Sequence, residues 1–368
     1  MKKVLHLTKF FHPQVGGMES VMKNIADYFN HNNSYKIDVF CAHVSPNVKI
    51  DKYKSSIIIR YGRLFTFGRT SFSLSAFSIF KKINKKYDAL HLHHPDPLLV
   101  LLLFFIRVKI PLVIHWHGDV QKKAIVLFRP LQNWMLKRSE IIVVTSQEYL
   151  DGSPHLKNFK QKCRVVPIGI PDESFQSEEQ VVRRSDKKIV FALGRLIYYK
   201  GFPYLIKAAK YLHNDIEVII AGEGGDKEKL LQLIKDDNVQ NRVTLVGRVT
   251  DEQKIALFKT CSLFCLPSIN KAEAFGVVLL EAMSFSKPLV TFHIEGSGVN
   301  ALNRNNITGL MANSFDEKKL AEAINKICAD NALEKRLASQ ARLSYEQNFT
   351  IEAMGSKLEK VYDKFFLN

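Results

Sequence analysis

The sequence predicts an α/β fold in which two Rossmann-like domains face a cleft. Short apolar strands alternate with amphipathic helices through both halves of the 368-residue chain, which is typical of parallel sheets covered by helices. This periodicity is lost once, between Pro167 and Asp186, where proline, glycine and charged residues accumulate. A chain of this length can form two cores of ordinary size. Ligands of paired sheets of this kind bind in the cleft, at the carboxyl ends of the strands.

We expect an N-terminal domain of residues 1–170, a second domain of residues 171–350, and a C-terminal helix within residues 351–368 that packs back on the first domain. A loop with Gly16 and Gly17 follows the first strand, and a helix is expected from about Glu19 to Phe29. The strands expected in the first domain are KKVLHLTKF, KIDVFCA, DALHLHH, PLVIHWH, EIIVVTS and CRVVPIG, and those in the second are KIVFALG, EVIIAGE, RVTLVG, SLFCLPS and PLVTF.

The composition, with 46% hydrophobic and 24% charged residues, is that of a folded soluble protein. Its five cysteines are scattered without metal-site spacing, so we expect reduced core residues and no zinc site. The longest apolar run, Leu98–Ile106, is shorter than the roughly 20 residues of a membrane-spanning helix and is expected to be a buried helix. His6 and Lys9 interrupt the N-terminal apolar stretch, so it does not resemble a signal peptide, and a cytoplasmic location is expected.

The net charge of +17 is unevenly distributed. Residues 1–175 contain 26 Lys and Arg against 12 Asp and Glu, whereas residues 176–368 contain 27 against 24. A basic half favours an anionic partner: nucleic acid, a phospholipid surface or a phosphorylated acceptor. Solvated surface lysines are the alternative explanation. The sequence contains no RNP-like aromatic motif, zinc finger or helix-turn-helix signature, so we expect no nucleic-acid partner.

The segment FALGRLIYYKG (191–201) ends a predicted strand and places Arg195 and Lys200 in the following loop. A guanidinium and an ammonium group at the carboxyl end of a strand suit a diphosphate. Taken alone, however, the segment favours two solvated surface cations. The nearby AGEGGDKEKL (221–230) lacks G-x-G-x-x-G spacing and indicates an ordinary strand-to-helix turn.

The segment NKAEAFGVVLLEAM (270–283) places Glu273 just before an apolar helix and Glu281 within it. A helix that begins near Phe275–Gly276 would offer unpaired amides and the positive end of its dipole to a phosphate. Gly276 would let the ligand approach the backbone. A Glu281 buried in the apolar run would need a partner, which a ribose diol would supply. The alternative is an amphipathic helix with two solvated glutamates.

Several of these segments together resemble one protein family. EAFGVVLLE resembles the E-x7-E motif of the retaining glycosyltransferases of family 4 (glycosyl transferases group 1), which have the GT-B fold. HLTKFFHPQVGGMES, WHGD and GRLIYYKG fit the same family in order and spacing. The E-x7-E pattern alone is weak, but the combination is specific, and the resemblance covers nearly the whole chain.

The resemblance implies a nucleotide-sugar donor held by the second domain and an acceptor bound by the first. Arg195 and Lys200 would bind the donor diphosphate, and Glu281 would bind the ribose hydroxyls. Glu273 would contact the transferred sugar or support the phosphate contacts. The further donor-binding positions implied are Gly16, Gly17, Arg248 near the base, and Phe275, Gly276, Val277 and Val278 through their amides.

Two histidines of VIHWHGD, His115 and His117, lie on one face of a predicted strand because side chains alternate. The match to the WHG pattern of the family implies that His117 contacts the donor sugar, and His115 is expected to be structural. The resemblance thus implies a catalytic set of Glu273, His117, Lys200 and Arg195.

Acceptor binding is assigned to the strand ends of the first domain. His93 and His94, with Asp96 in the same HLHHPDPL segment, are expected to help form the acceptor pocket, together with Asp119.

The sequence contains no Asp-x-Asp, so a metal-assembled diphosphate site is not expected, and no cofactor or metal is expected. The family implies retention through an oxocarbenium-like transition state, in which fixed groups stabilise the leaving diphosphate. For bacterial-type relatives it implies surface polysaccharide synthesis (O-antigen, capsule or lipopolysaccharide) on a lipid-linked acceptor, at the inner membrane face. The cationic run Lys81, Lys82, Lys85 and Lys86 would contact anionic headgroups, or is simply a solvated helix face. A nucleotide-sugar 2-epimerase of similar architecture is the alternative function.

Overall fold

The computed structural model describes residues 1–14, 16–67, 70–119, 125–175 and 187–366. It confirms the α/β class. The chain forms two compact units: Met1–Gly169 with Ile351–Asn368, and Ile170–Thr350. Residues 176–186, which make up most of the segment predicted to lack periodicity, lie outside the described residues.

The first unit is built on an eight-stranded sheet with the order β10-β9-β8-β7-β1-β2-β4-β3, parallel except for β3, and a separate hairpin of β5 and β6. All six strands predicted for this half are present. Its strands are β1 Lys3–Leu7, β2 Lys36–Ala42, β3 Lys49–Tyr53, β4 Ser56–Tyr61, β5 Phe65–Phe67, β6 Thr70–Phe72, β7 Ala89–His94, β8 Leu112–Trp116, β9 Ile141–Val144 and β10 Cys163–Val165. The prediction missed the edge pair β3 and β4 and the hairpin of β5 and β6; β3 (KIDKY) is charged and largely exposed, which hides it from a hydrophobic pattern.

Helices cover this sheet. They are α1 Gly17–Asn32, α2 Leu74–Ile83, α3 Pro97–Ile106, α4 Ile125–Arg138, α5 Gln147–Gly152 and, from the end of the chain, α13 Ile351–Phe366. The apolar run predicted as a buried helix is α3, capped by the Asp96 side chain, which accepts from the Leu99 amide. It is buried only on one side, since Phe104 and Phe105 are 41% and 66% exposed. Within the described ranges, none of the helices combines the length and apolar character that crossing a bilayer requires.

Helix α13 packs against α1. The Tyr28 hydroxyl donates to the Glu359 carboxylate over 2.9 Å, and the Tyr35 hydroxyl donates to Asp363 over 2.6 Å. Gly355 allows close approach, because a Cβ there would lie 2.1 Å from the ring of Tyr28. The C-terminal segment therefore belongs to the hydrophobic and polar packing of the first unit.

The second unit has a six-stranded parallel sheet with the order β13-β12-β11-β14-β15-β16. All five predicted strands are present, and the short edge strand β16 was not predicted. The strands are β11 Lys188–Leu193, β12 Ile216–Ala221, β13 Val243–Gly247, β14 Leu263–Leu266, β15 Leu289–Phe292 and β16 Gly309–Ala312, and the helices are α6 Phe202–Ala208, α7 Lys227–Asp236, α8 Asp251–Thr260, α9 Val277–Ser284, α10 Val299–Leu302, α11 Glu317–Ala329 and α12 Asn331–Asn348. Since β11 and β14 are neighbours, the loops that follow them meet at one edge of the sheet.

Candidate functional site

The loop after β11 holds Lys200 next to the segment that follows β14. Lys200 is followed by Gly201, whose φ of +67° suits glycine. A Cβ on Gly201 would lie 1.9 Å from the carbonyl oxygen of Pro267, so only glycine permits this approach of the two loops. The Ile269 amide also donates to the Tyr199 carbonyl over 2.9 Å. Backbone packing thus fixes the position of Lys200.

Lys200 and Glu273 form a buried ion pair. The lysine Nζ lies 2.5 Å from the glutamate Oε2, and the two residues are only 9% and 8% exposed. Ser268 donates a second hydrogen bond to the same oxygen over 3.0 Å. The sequence analysis placed both residues at one site, but it assigned each of them its own role toward the ligand and did not pair them. The structure shows that each charge compensates the other, as burial requires.

Helix α9 begins after Gly276, where the sequence predicted its start. Gly276 has a φ of +81°, in the left-handed region that favours glycine. A Cβ there would approach the side chains of Leu279, Leu266 and Val299 to 3.1–3.3 Å. The glycine therefore serves both the backbone conformation and the packing beneath it. The Leu279 amide donates to the Gly276 carbonyl over 2.8 Å, while the Val277 and Val278 amides precede this first turn and stand at the positive end of the helix.

The loop after β15 supports this segment from another side. The Ser297 hydroxyl donates to the Glu273 carbonyl, and the Gly298 amide donates to the Ala274 carbonyl over 2.9 Å. A Cβ on Gly298 would lie 2.7 Å from the ring of Phe275. Ser268, Ser297 and Gly298 were all missed by sequence reasoning, because single serines and glycines outside a recognised motif give no signal.

Glu281 is less buried than expected. Its side chain is 25% exposed, because it shares a helix face with the half-buried Val277 and Val278, whereas Leu279 and Leu280 point into the core. Glu281 therefore lies at the margin of the apolar run rather than fully inside it.

A lysine that the sequence did not single out lies beside Glu281. The Lys254 Nζ is 3.8 Å from the Glu281 Oε1 and 3.0 Å from the Glu173 carboxylate. Burial raises the pKa of Glu281 to about 7; Lys254 opposes this rise, while Glu173 and Asp251 add to it. The carboxyl can thus gain or lose its proton near neutral pH.

Arg195 and Arg248 are exposed at the ends of β11 and β13. The Arg195 guanidinium donates to the Tyr199 hydroxyl over 3.2 Å. Arg248 follows Gly247, which has a φ of +72° and accepts from the Gly222 amide over 2.7 Å. Both arginines lie on the edge of the sheet that carries Lys200, so their side chains can turn toward an anionic ligand.

In the first unit, Gly16 and Gly17 lie at the start of α1. Gly16 is extended, with a φ of 177°, so its backbone does not require glycine. A Cβ on Gly16 would instead lie 2.3 Å from a carboxylate oxygen of Glu19, whereas nothing lies within 4 Å of one on Gly17. A side chain at Gly16 would therefore require the Glu19 carboxylate to move, whereas one at Gly17 would point into open space.

Five histidines lie on one face of the first sheet. Strand register pairs His6 with His91 and His93 with His115, and His117 follows two residues later, so all five side chains project from the same face. The first four are at most 1% exposed, and His117 is half-buried. Burial lowers the pKa of every ring, to about 3 for His6 and about 4 for His117. The rings are therefore neutral at neutral pH.

The expected acceptor residues do not share a surface. His93 and His94 are both fully buried and project from opposite faces of β7. The His94 ring stacks on Trp116 with 4.1 Å between ring centroids. Asp119 accepts from the Trp116 indole over 3.0 Å and from the Ser153 hydroxyl over 2.7 Å, which fixes the loop after β8. This geometry does not favour direct acceptor contacts from His93 or His94.

Three of the histidines come close enough to raise the question of a metal ion. One ring nitrogen each of His91, His93 and His115 lie within 4.8 Å of one another. The rings, however, are stacked, with interplanar angles of 15–21° and centroid separations of 5.0–5.4 Å. A metal lies in the plane of each imidazole that binds it, so lone pairs of parallel rings cannot converge on one ion. The arrangement does not fit a metal site.

Comparisons with known proteins agree with this arrangement. The family model described as Glycosyltransferase Family 4 matches residues 15–174, and the one described as Glycosyl transferases group 1 matches residues 173–344. The chain is 30% identical over 360 residues to O-antigen chain mannosyltransferase C of Escherichia coli, covering 96% of this chain and 95% of that protein.

A second curated relative and a solved structure extend this likeness. D-rhamnosyltransferase WbpZ of Pseudomonas aeruginosa is 28% identical over 358 residues, with 95% of this chain and 92% of WbpZ covered. HepE of Anabaena, solved with UDP and glucose, has a TM-score of 0.77 at 18% identity and covers 99% of this chain and 100% of HepE. The structural likeness indicates a shared GT-B fold.

Proposed function

The chain belongs to glycosyltransferase family 4, and we propose that it moves a sugar from a nucleotide-diphosphate sugar to an acceptor hydroxyl with retention of the anomeric configuration. The names of its relatives concern O-antigen mannosyl and D-rhamnosyl transfer. We therefore infer that the product is a bacterial surface polysaccharide, such as O-antigen, built on a lipid-linked acceptor at the cytoplasmic face of the membrane.

The observation that supports this proposal best is the buried Lys200–Glu273 pair beside the start of α9. A buried ammonium group and unpaired helix amides at one sheet edge form an environment that favours a diphosphate. Glu273 orients the ammonium and offsets its charge before the donor binds. In this proposal Glu273 supports phosphate binding, and it is not a free base, because its carboxylate is already held by Lys200 and Ser268.

The other residues complete the donor site. Arg195 turns toward the diphosphate, Glu281 accepts from the ribose hydroxyls, and Arg248 lies near the base. The amides of Phe275 to Val278 bind sugar and phosphate oxygens, Gly16 and Gly17 approach the phosphates, and His117 contacts the transferred sugar.

The proposed chemistry needs no metal. As the acceptor oxygen bonds to the anomeric carbon, the bond to the diphosphate breaks, and the proton of the acceptor hydroxyl passes to an oxygen of the leaving diphosphate. The charge that develops on the leaving group is met by Lys200, Arg195 and the α9 amides. Transfer should therefore continue in EDTA at the rate seen without chelator. A rate that collapses with EDTA and returns with magnesium or manganese would rule this out.

A groove in the first unit suits a lipid-linked acceptor. It has a volume of about 760 Å³ and is lined by aromatic side chains and by cations, which include Phe77, Phe105, Lys81, Lys85, Arg107 and Lys109. Phe105 is 66% exposed, and both lysines are exposed. Exposed aromatic and cationic side chains together fit a membrane surface with anionic headgroups.

Liposome flotation tests this surface. The Lys81→Glu/Lys85→Glu variant should lose binding to anionic vesicles, while Lys207→Glu/Lys235→Glu, which makes the same charge change at exposed positions of the second unit, should retain it. Equal binding of both variants, or no binding of the unaltered protein, would remove the membrane part of the proposal.

The decisive experiment for the function itself is a thermal-shift screen with UDP-, GDP- and ADP-sugars, followed by product analysis. A true donor stabilises the folded protein by mass action. With acceptor present, NMR of the product should show the anomeric configuration of the donor. Conversion of the donor to its 2-epimer without acceptor would instead support the epimerase alternative.

A further inference from the structure

A continuous chain of hydrogen bonds runs through the first unit from Tyr362 on α13 to His117. The Tyr362 hydroxyl lies 3.0 Å from the His6 Nε2, the His6 Nδ1 lies 3.0 Å from the His93 Nε2, and the His93 Nδ1 lies 2.9 Å from the His117 Nε2. The His91 Nδ1 joins the chain at its start, 2.6 Å from the same hydroxyl. The residue assigned to the donor sugar is thus connected to the C-terminal helix.

The number of protons on the rings allows only two arrangements of this series of hydrogen bonds, one for each direction. Each neutral imidazole has one N–H and one acceptor nitrogen. Both nitrogens of His6 and of His93 are engaged, so each ring must accept on one side and donate on the other. The direction of one bond therefore fixes the direction of the next, and His6, His93 and His117 must all carry the proton on the same ring nitrogen.

The His91 ring favours one of the two directions. Its Nε2 is buried and has no partner among the described residues. If the bonds run from Tyr362 toward His117, His91 donates to the hydroxyl through Nδ1, and only an acceptor is left unpaired. In the reverse direction, either the His91 Nε2–H or the Tyr362 hydroxyl hydrogen is a buried donor without a partner, which is the rarer and less favourable outcome. His115, whose two nitrogens have no partners in either case, does not affect this choice.

We propose that His93, at the end of the hydrogen-bond chain that runs from Tyr362 through His6, is a positioning residue that holds His117 in the Nδ1–H tautomer. The Nε2 of His117 accepts from His93, and its Nδ1 presents a hydrogen-bond donor. That the recipient is an oxygen of the transferred sugar rests on the proposed function; the tautomer itself does not.

Imidazole ¹⁵N NMR of the full-length protein labelled at histidine tests the tautomer directly. Two-bond correlations from the ring carbons' protons distinguish a protonated Nδ1 from a protonated Nε2, and a His117→Gln variant assigns the signal of His117. We expect Nδ1–H in the unaltered protein. In His93→Phe, which removes the donor to the His117 Nε2, the signal should shift toward the Nε2–H form that free histidine prefers. A protonated Nε2 of His117 in the unaltered protein would overturn the proposal, as would an unchanged tautomer in the variant.

Kinetics provide the second measurement, with His91→Phe as the matched control. His91 is as buried as His93 and lies on the same face of β7, but its hydrogen bond is to Tyr362 and not to His117. His93→Phe should lower kcat by about tenfold and change the KM for the donor little, as expected for one hydrogen bond that strengthens in the transition state. His91→Phe should retain the kcat of the unaltered protein. Equal losses in both variants would indicate a structural effect of the packed strand face and overturn the positioning role.

The two proposals fail in different ways. If His117→Gln retains full turnover while the Nδ1–H tautomer is observed, the proposed sugar contact of His117 is wrong, and the proposed direction of the hydrogen bonds is correct. If His117→Gln loses turnover but the tautomer is Nε2–H, the sugar contact is supported and the proposed direction of the hydrogen bonds is wrong.

Discussion

The Lys200 ammonium and the Glu273 carboxylate are paired across 2.5 Å within the second unit, and more than nine-tenths of each residue is buried. Seventy-three positions separate the two residues in the sequence, and the pairing depends on the contact between the loops that follow β11 and β14. An ion pair at this depth is a weak source of stability, since desolvation offsets most of the attraction. Its presence at a sheet edge beside a helix start is better explained by the binding of an anion.

A double-mutant cycle on this pair should separate stability from function. Lys200→Met leaves a buried carboxylate without its partner and should lower the free energy of unfolding by about 3 kcal/mol. Lys200→Met/Glu273→Gln has no buried charge and should recover most of that loss in urea denaturation. Its turnover should remain low, because no ammonium meets the leaving diphosphate. A double variant that regains turnover together with stability would contradict the role of Lys200.

Glu281 should make donor binding depend on pH. Its pKa of about 7 in the folded protein means that the carboxylate, which we propose accepts from the ribose, forms as the pH rises. The affinity for a nucleotide sugar should therefore be about tenfold weaker at pH 6 than at pH 8, and Glu281→Gln should bind weakly at both values. Calorimetric titration with an intact nucleotide sugar, whose diphosphate does not titrate in this range, measures the effect. Equal pH profiles of the two proteins would exclude Glu281 as the titrating group.

The same residue predicts a trend in stability without donor. A pKa raised above the ordinary 4.5 means that the folded state binds the proton more tightly than the unfolded state. The stabilisation is fully present below pH 4.5 and is lost as the pH rises through about 7. The unfolding free energy of the unaltered protein, measured relative to Glu281→Gln, should therefore fall between pH 5 and pH 8. A difference that rises with pH would contradict the raised pKa.

Lys254 should set the pH at which Glu281 ionises, and hence the midpoint of the pH dependence of donor binding. Its ammonium lies 3.8 Å from the Glu281 carboxylate and holds the pKa of Glu281 below the value that burial alone would give. Lys254→Met should move the midpoint of donor binding to higher pH, and weaken binding at pH 7 more than at pH 9. Lys259→Met provides a control, as it removes a charge from the same helix, α8. A midpoint that does not move would show that Lys254 does not control Glu281.

The sequence predicted the periodic parts of this molecule well and its contacts less well. Strands such as β2 and the limits of α13 follow from residue patterns alone, because local periodicity specifies them. The partial exposure of Glu281 was not predicted, because an unbroken apolar run does not show which helix face is buried; that depends on what packs against α9. Ser268, Ser297 and Lys254 were not found, since each reaches the site through a fold contact without a spacing signal.

Gly276 should be intolerant of any side chain. Gly276→Ala places a Cβ on a residue with a φ of +81° and brings it to 3.1–3.3 Å from three core side chains. The strain should lower the free energy of unfolding by about 1–2 kcal/mol. Because the first turn of α9 must shift to relieve it, donor affinity should fall as well. Gly225→Ala is the matched control, since Gly225 has no atom within 4 Å of its added Cβ and its φ lies outside the left-handed region. Urea denaturation and calorimetric titration of both variants measure the two effects, and a Gly276→Ala protein that matches the control in both would show that the start of α9 does not depend on glycine.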